Sequence, residues 1–173
     1  MRRFVLLAAL LVAPAGCGSG STTVPTGAIA VVGDRAVPLR ALDGELAQSR
    51  RAYAARGQAF PNPGTAAYRR LRDNAVRLVV DRTRLELAAQ KLGIAIRPAQ
   101  VDARLRQIEQ TAFGGNEARY RARLRALGMT DADVRRATRD ELLVAAVEKA
   151  KPSALEKPLS VSYAKGFAPA AGG

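Results

Sequence analysis

Few residues of this 173-residue chain could do covalent or acid–base chemistry. Histidine is absent and cysteine occurs once, at Cys17. A Ser/His/Asp triad, a Cys/His pair, a His-containing zinc site and an intramolecular disulfide are therefore excluded. Asp131 and Asp133 lie at a predicted helix start, where acids are favoured, and Asp140 and Glu141 lie on a solvated helix face. With no glycine-rich phosphate loop either, we predict no catalytic residue, no metal and no cofactor.

The cysteine follows a segment that is typical of an export signal. Residues 1–3 (MRR) are a charged start, residues 4–13 are apolar, and Ala15 and Gly16 are small. A run of about ten apolar residues is too short to span a bilayer, which needs roughly 20. We therefore predict a signal peptide over residues 1–16 and no transmembrane helix in the mature chain.

Two cleavage sites are compatible with this leader. Cleavage before Cys17 would use residues 14–17 (PAGC), which resemble a bacterial lipobox with Pro14 at the position usually held by Leu. Cys17 is followed by a Gly-, Ser- and Thr-rich stretch that favours a flexible tether over residues 17–27, and several acyl chains on one residue give stable anchoring. We predict lipidation of Cys17. The alternative is cleavage after Ala15, at an A-x-A-like site, which would leave a free thiol near the terminus.

The positive net charge of the chain predicts that it attracts anionic partners. The formal charge is +13, and removal of Arg2 and Arg3 with the leader leaves 26 Lys and Arg against 15 Asp and Glu, or +11. Such an excess concentrates anionic partners near the surface. An arginine-rich, merely solvated surface is the competing interpretation.

Hydrophobic spacing predicts a mainly helical, all-α fold. A short strand at residues 28–32 and a stub at 36–37 precede the helices. Apolar periodicity, Gly stops and capping residues, including Thr130 with Asp133, predict five helices. They cover residues 39–56, 65–93, 98–113, 116–127 and 130–150.

The second helix is predicted to be central because its apolar stripe is broad enough to need more than one neighbour. The stripe contains Tyr68, Leu71, Ala75, Leu78, Leu85, Ala89 and Leu92. Arg82 interrupts it and must either extend past the seam to solvent or meet a carboxylate. We expect the first arrangement.

The tail, residues 151–173, is broken by prolines. Leu159, Val161 and Tyr163 alternate with serines, which predicts one short strand that could pair with the N-terminal strand. A disordered tail is the alternative. The folded domain is therefore predicted at residues 28–150.

Residues 77–94 (RLVVDRTRLELAAQKLGI) resemble the long-helix signature of the SurA N-terminal domain family. The loop at 57–64 (GQAFPNPG), the Phe113-Gly114-Gly115 break and residues 127–135 (LGMTDADVR) extend this resemblance over roughly residues 28–150. The family comprises extracytoplasmic chaperones and foldases, many with a parvulin-type prolyl isomerase domain. The resemblance implies a chaperone-like module that binds unfolded or nascent exported polypeptides.

The chain departs from these foldases in one respect. Only 23 residues follow Ala150, and the histidines of a parvulin active site are absent. We therefore predict a non-enzymatic, exported module, anchored to the outer face of the cell membrane or periplasmic. A peptidyl-prolyl isomerase-related protein is one alternative.

An apolar groove between helices would hold the client polypeptide. Its predicted wall residues are aromatic, with Phe60 favoured because it lies in a Pro-rich loop: Tyr53, Phe60, Tyr68, Phe113 and Tyr120. Ordinary core packing is the competing interpretation for each. A second alternative function is a basic surface that binds anionic envelope polymers or headgroups, although the arginines at 119, 121, 123 and 125 spread around their helix. We expect no nucleic-acid partner, and the sequence does not specify an oligomeric state.

Overall fold

The computed structural model describes residues 23–155 and 159–170. The predicted leader, Cys17 and the start of the tether lie outside these ranges. Within them the chain forms five α-helices and a three-stranded antiparallel sheet, so the prediction of a mainly helical fold is confirmed. In chain order the elements are β1 (Ala28–Val32), β2 (Arg35–Pro38), α1 (Leu39–Ala55), α2 (Ala66–Lys91), α3 (Pro98–Phe113), α4 (Glu117–Leu127), α5 (Asp131–Ala150), a 3-10 turn (Pro152–Ala154) and β3 (Val161–Tyr163).

The sheet joins the two ends of the described chain. β1 lies between β2 and β3 and is antiparallel to both, with Ala30 opposite Val37 on one side and Tyr163 on the other. The predicted C-terminal strand is therefore present. The tail also contacts α2, since Arg77 donates a hydrogen bond to the carbonyl of Ala170 (2.7 Å).

The helices begin and end at the residues that local chemistry favours. The Thr65 hydroxyl accepts a hydrogen bond from the amide of Tyr68 (3.1 Å) and caps α2. Thr130 and Asp133 form both bonds of a capping box at α5. The predicted helix boundaries agree with the observed ones to within two residues.

Helix α2 supports two separate hydrophobic cores. Its first half packs against the sheet and α1, and Val76 and Val80 are 0% and 1% exposed there. Its second half packs against α5, where Leu85 and Ala89 meet Leu143 and Val147. The prediction that more than one neighbour covers α2 is confirmed by these two cores.

The α4–α5 connection docks on α1. Gly128 ends α4 with a φ of 65°, and a Cβ at this position would overlap the backbone of Arg51. Arg51 donates from Nε to the carbonyl of Gly128 (3.3 Å) and from Nη2 to the carboxylate of Asp133 (2.6 Å). One arginine therefore fixes both the end of α4 and the start of α5 against α1.

Asp133 is buried and charged at this junction. Burial raises the pKa of its carboxyl, but hydrogen bonds from the hydroxyl and amide of Thr130, together with the Arg51 guanidinium, outweigh burial. They lower the pKa from 3.8 to about 2. Because the folded-state pKa is depressed, Asp133 stabilises the fold above pH ~4 and loses that contribution as the pH falls towards 2.

We predict that Asp133→Asn lowers the free energy of unfolding by about 2 kcal/mol at neutral pH, which is the size of the pKa shift. The difference from the unsubstituted protein should shrink to near zero as the pH falls from about 4 to about 2. Urea denaturation at a series of pH values measures this. Asp131→Asn is the matched control, since Asp131 is exposed in the same helical turn. A stability difference that is independent of pH would contradict the assignment.

Candidate functional site

An open apolar groove lies between α2, α5 and the chain that follows α5. Its volume is about 640 Å³, within the range of roughly 300–1,000 Å³ that is typical of ligand sites. Leu78 and Leu155 stand at its surface and are 48% and 38% exposed. The remaining apolar lining comes from Leu85, Ala88, Leu92, Val144, Ala154 and Leu159.

The groove exists because the apolar stripe on α2 is wider than the area that the neighbouring elements cover. The sheet and α1 cover one side of the helix, and α5 covers the other beyond Leu85. Leu78 lies between these contacts. More than one neighbour therefore covers the stripe, as predicted, but Leu78 remains open to solvent as a large apolar side chain.

The prediction that Arg82 extends past the seam to solvent is wrong. Its Nη1 donates to Glu45 of α1 (2.8 Å) and its Nε donates to Asp140 of α5 (2.7 Å). Glu45 is only 7% exposed, so its charge requires a partner inside the protein. Burial lowers the pKa of the Arg82 guanidinium, but the two carboxylates outweigh burial and raise it above its ordinary value.

Two buried polar atoms in the groove lack hydrogen-bond partners within the described ranges. They are Nε of Arg84, a donor, and Oδ1 of Asp140, an acceptor. The rest of each side chain is engaged, since Arg84 pairs with Asp81 (2.8 Å) and Asp140 pairs with Arg82. Both atoms are almost completely inaccessible, and Oδ1 of Asp140 lies 3.8 Å from Nη1 of Arg139, so neither atom is open to a ligand in the groove.

A second, more polar depression lies beside the groove. It has a volume of about 450 Å³ and shares Leu78 with the groove, so the two are adjacent along α2. Tyr53 and Arg70 lie in its wall. Among the predicted aromatic residues, Tyr53 is the one that lines either of these surfaces.

The five predicted aromatic residues, including Tyr53, form two local clusters. Phe60 packs edge-on against Tyr53 (5.5 Å between ring centroids) and Tyr68 (6.2 Å), and the Arg50 guanidinium lies 5.0 Å from its ring centroid. These contacts anchor the Pro-rich loop to α1 and α2. Phe60 stays outside both hydrophobic cores, but it does not line the groove.

Phe113 and Tyr120 pack against each other at the α3–α4 connection, with ring centroids 5.5 Å apart. The structure thus separates the five predicted residues into a three-ring cluster and a two-ring cluster. Burial, Asp131 and Glu109 raise the pKa of the Tyr120 hydroxyl, which remains protonated at neutral pH. Its role as a client contact stays a prediction.

Sequence reasoning missed the groove because Leu78, Leu85 and Leu92 belong to an apolar stripe on α2 that is expected to pack against neighbours, and because Leu155 and Leu159 lie in the tail. One available signal was the width of that stripe. Within the described residues we find no acidic, His or Cys cluster able to hold a metal ion, and none of the described helices is long and apolar enough to cross a membrane.

The fold and groove define a small helical module built around one long helix, with an open apolar groove beside that helix. A family model described as the SurA-like N-terminal domain matches residues 2–148. The chain belongs to this family, and the family prediction is confirmed. Comparisons with curated proteins and with solved structures gave no match.

We predict that Arg82→Met destabilises the protein by about 3 kcal/mol or more, since it leaves the buried Glu45 carboxylate without its closest partner. Arg84→Met is the matched control on the same helix. Its partner Asp81 is 64% exposed at the side chain, so the loss should be at most about 1 kcal/mol. Thermal and urea denaturation compare the two variants. Equal losses would show that Arg82 contributes no more than a surface pair.

Proposed function

We propose that this protein binds extended, apolar-rich polypeptide segments in the groove beside α2 and holds them without chemical change. The observation that carries this proposal is the open apolar groove with Leu78 and Leu155 exposed at its surface. Exposed large apolar side chains gathered in one concave surface favour a partner that covers them.

The length of the groove also suits a short extended segment. Leu78 on α2 and Leu92, the residue that caps this helix, both line the groove. They are fourteen residues apart, or about 21 Å at 1.5 Å per residue. An extended chain rises roughly 3.3 Å per residue, so about six residues would follow this surface. Alternate side chains of that segment would face the leucines.

Family membership supports a chaperone-like role for this groove, since the resemblance that the sequence carries is to extracytoplasmic chaperones and foldases. We extend the proposal to binding without prolyl isomerisation, supported by the absence of histidine from the chain. We further propose export and lipid anchoring at Cys17. The charged start, the apolar run and the Gly-, Ser- and Thr-rich stretch support this part.

We predict that Leu78→Gln weakens binding of an uncharged, apolar-rich extended peptide by about tenfold, because the leucine loses apolar burial and the amide must be desolvated. Stability should change little, since Leu78 is half exposed in the free protein. Leu127→Gln is the charge-matched control, because Leu127 is 39% exposed on α4 and lies outside the groove. Fluorescence anisotropy gives the affinities.

The same titration at about 0.1 M and about 1 M salt separates this function from its main alternative. Apolar burial keeps its strength in added salt, whereas contacts between exposed charges are screened. The alternative, an anionic-surface binder, is favoured by α4, where the arginines at 119, 121, 123 and 125 are all exposed. Affinity that disappears at high salt and is equal for both leucine variants would support that alternative and reject the groove.

A separate prediction concerns the anchor. Cys17→Ser should leave export intact but release the protein from the membrane fraction or block leader processing, since the thiol is the site of acylation. Fractionation and intact-mass measurement of the processed chain test this. Normal processing and unchanged membrane retention would rule out lipidation at Cys17.

A further inference from the structure

The charges around the groove are distributed unevenly. The two arginines that line it are neutralised, because Arg82 pairs with Glu45 and Asp140 and Arg84 pairs with Asp81. The groove is also lined by Lys91, which directly precedes Leu92, and by Lys151. Both lysines are exposed, and neither has an ion-pair partner in the described part of the chain.

These two lysines come from different helices. Lys91 is the last residue of α2, and Lys151 directly follows the end of α5. A cation at a helix C-terminus stabilises the helix dipole, which explains a lysine at each place. It does not require that both lysines line one groove, as Lys91 and Lys151 do.

We propose that the groove selects polypeptide segments in which an apolar run is flanked by an acidic side chain, and that this carboxylate lies at the end formed by Lys91 and Lys151. The proposal rests on the function proposed above and specifies its ligand. The apolar side chains would cover Leu85, Ala88 and Leu92, and the flanking Asp or Glu would neutralise the lysine end.

The other cations of the groove, Arg82 and Arg84, are already paired with carboxylates. We therefore expect selectivity for acidic residues only beside the two lysines. An acidic flank at the Leu78 end would meet Asp81 beside Arg84, a pair that is already neutral. An acidic flank at the lysine end meets two ammonium groups that have no ion-pair partner among the described residues. One orientation of the bound segment is therefore favoured over the opposite one.

The test uses one apolar core sequence in four acetylated and amidated peptides, so that side chains supply the only charges. One peptide is neutral, one has two Asp residues at its N-terminal end, one has them at its C-terminal end, and one has two Lys residues in place of Asp. Affinities are measured at about 0.1 M salt, where exposed pairs are only partly screened.

We expect at least one of the two acidic peptides to bind about fivefold tighter than the neutral one, as two exposed ion pairs would give. The Lys peptide should bind more weakly than the neutral peptide. In Lys91→Gln/Lys151→Gln the ratio of the acidic-peptide affinity to the neutral-peptide affinity should fall to about one.

The matched control is Lys149→Gln/Lys165→Gln. These two lysines are also exposed, Lys149 lies in the last turn of α5, and neither lines the groove. Both double variants have the same net charge, so long-range attraction is equal in the two. Retention of the acid preference in the control and its loss in the groove variant supports the proposal.

Three results would overturn it. The neutral and acidic peptides could bind equally, the preference could survive Lys91→Gln/Lys151→Gln, or it could fall equally in the control. In each of these cases, binding of the neutral peptide still tests the groove itself. If Leu78→Gln weakens that binding, the proposed function stands although the acid preference does not.

Discussion

The ion triad of Arg82 with Glu45 and Asp140 is the constraint on which the arrangement of the helices depends. A carboxylate as buried as Glu45 is stable only with a hydrogen-bonded cation, and Arg82 is the one that reaches it most closely (2.8 Å). The same guanidinium holds α5 through Asp140. Since α1, α2 and α5 all converge on one side chain, the spacing between α2 and α5 is fixed by charge as well as by packing. That spacing sets the width of the groove.

The triad is continued by further arginine–carboxylate pairs. Arg136 reaches Glu45 (3.7 Å) and Asp133 (3.0 Å), and Asp133 is held in turn by Arg51 of α1. Arg139 pairs with Glu86 of α2 (3.2 Å). These arginines are therefore used within the fold, where each pairs with a carboxylate on another element. The cations left for partners are those that the network does not reach, including Lys91 and Lys151 at the groove.

Local signals made the helices predictable, whereas the site depended on distant contacts. Thr65, Thr130 and the terminal glycines act through neighbours within a few residues, so their effect can be recognised from sequence. The partners of Arg82 are 37 and 58 residues away, and spacing on one helix cannot show them. Periodicity likewise placed Leu78 on the apolar stripe, but its exposure depends on where α1 and α5 stop covering α2.

The aromatic candidates illustrate the same limit. Tyr53, Phe60 and Tyr68 were chosen by residue type, and the structure brings them together because the Pro-rich loop folds back between α1 and α2. Of these three residues, Tyr53 is the one that lies near the groove, in the wall of the depression that shares Leu78 with it. One wall of the groove comes from Leu155 and Leu159, beyond the predicted helical domain. No pattern within residues 28–150 could have indicated that contribution.

The central claim is that polypeptide binds at the groove beside α2, and methyl NMR tests it most directly. With Leu and Val methyl groups labelled, addition of an apolar-rich extended peptide should shift the resonances of Leu78, Leu85, Leu92, Val144 and Leu155. The methyls of Val32 and Val37, which are buried in the sheet core, should be unaffected. Shifts that concentrate on Leu124 and Leu127 of α4, with those of the groove unchanged, would contradict the account.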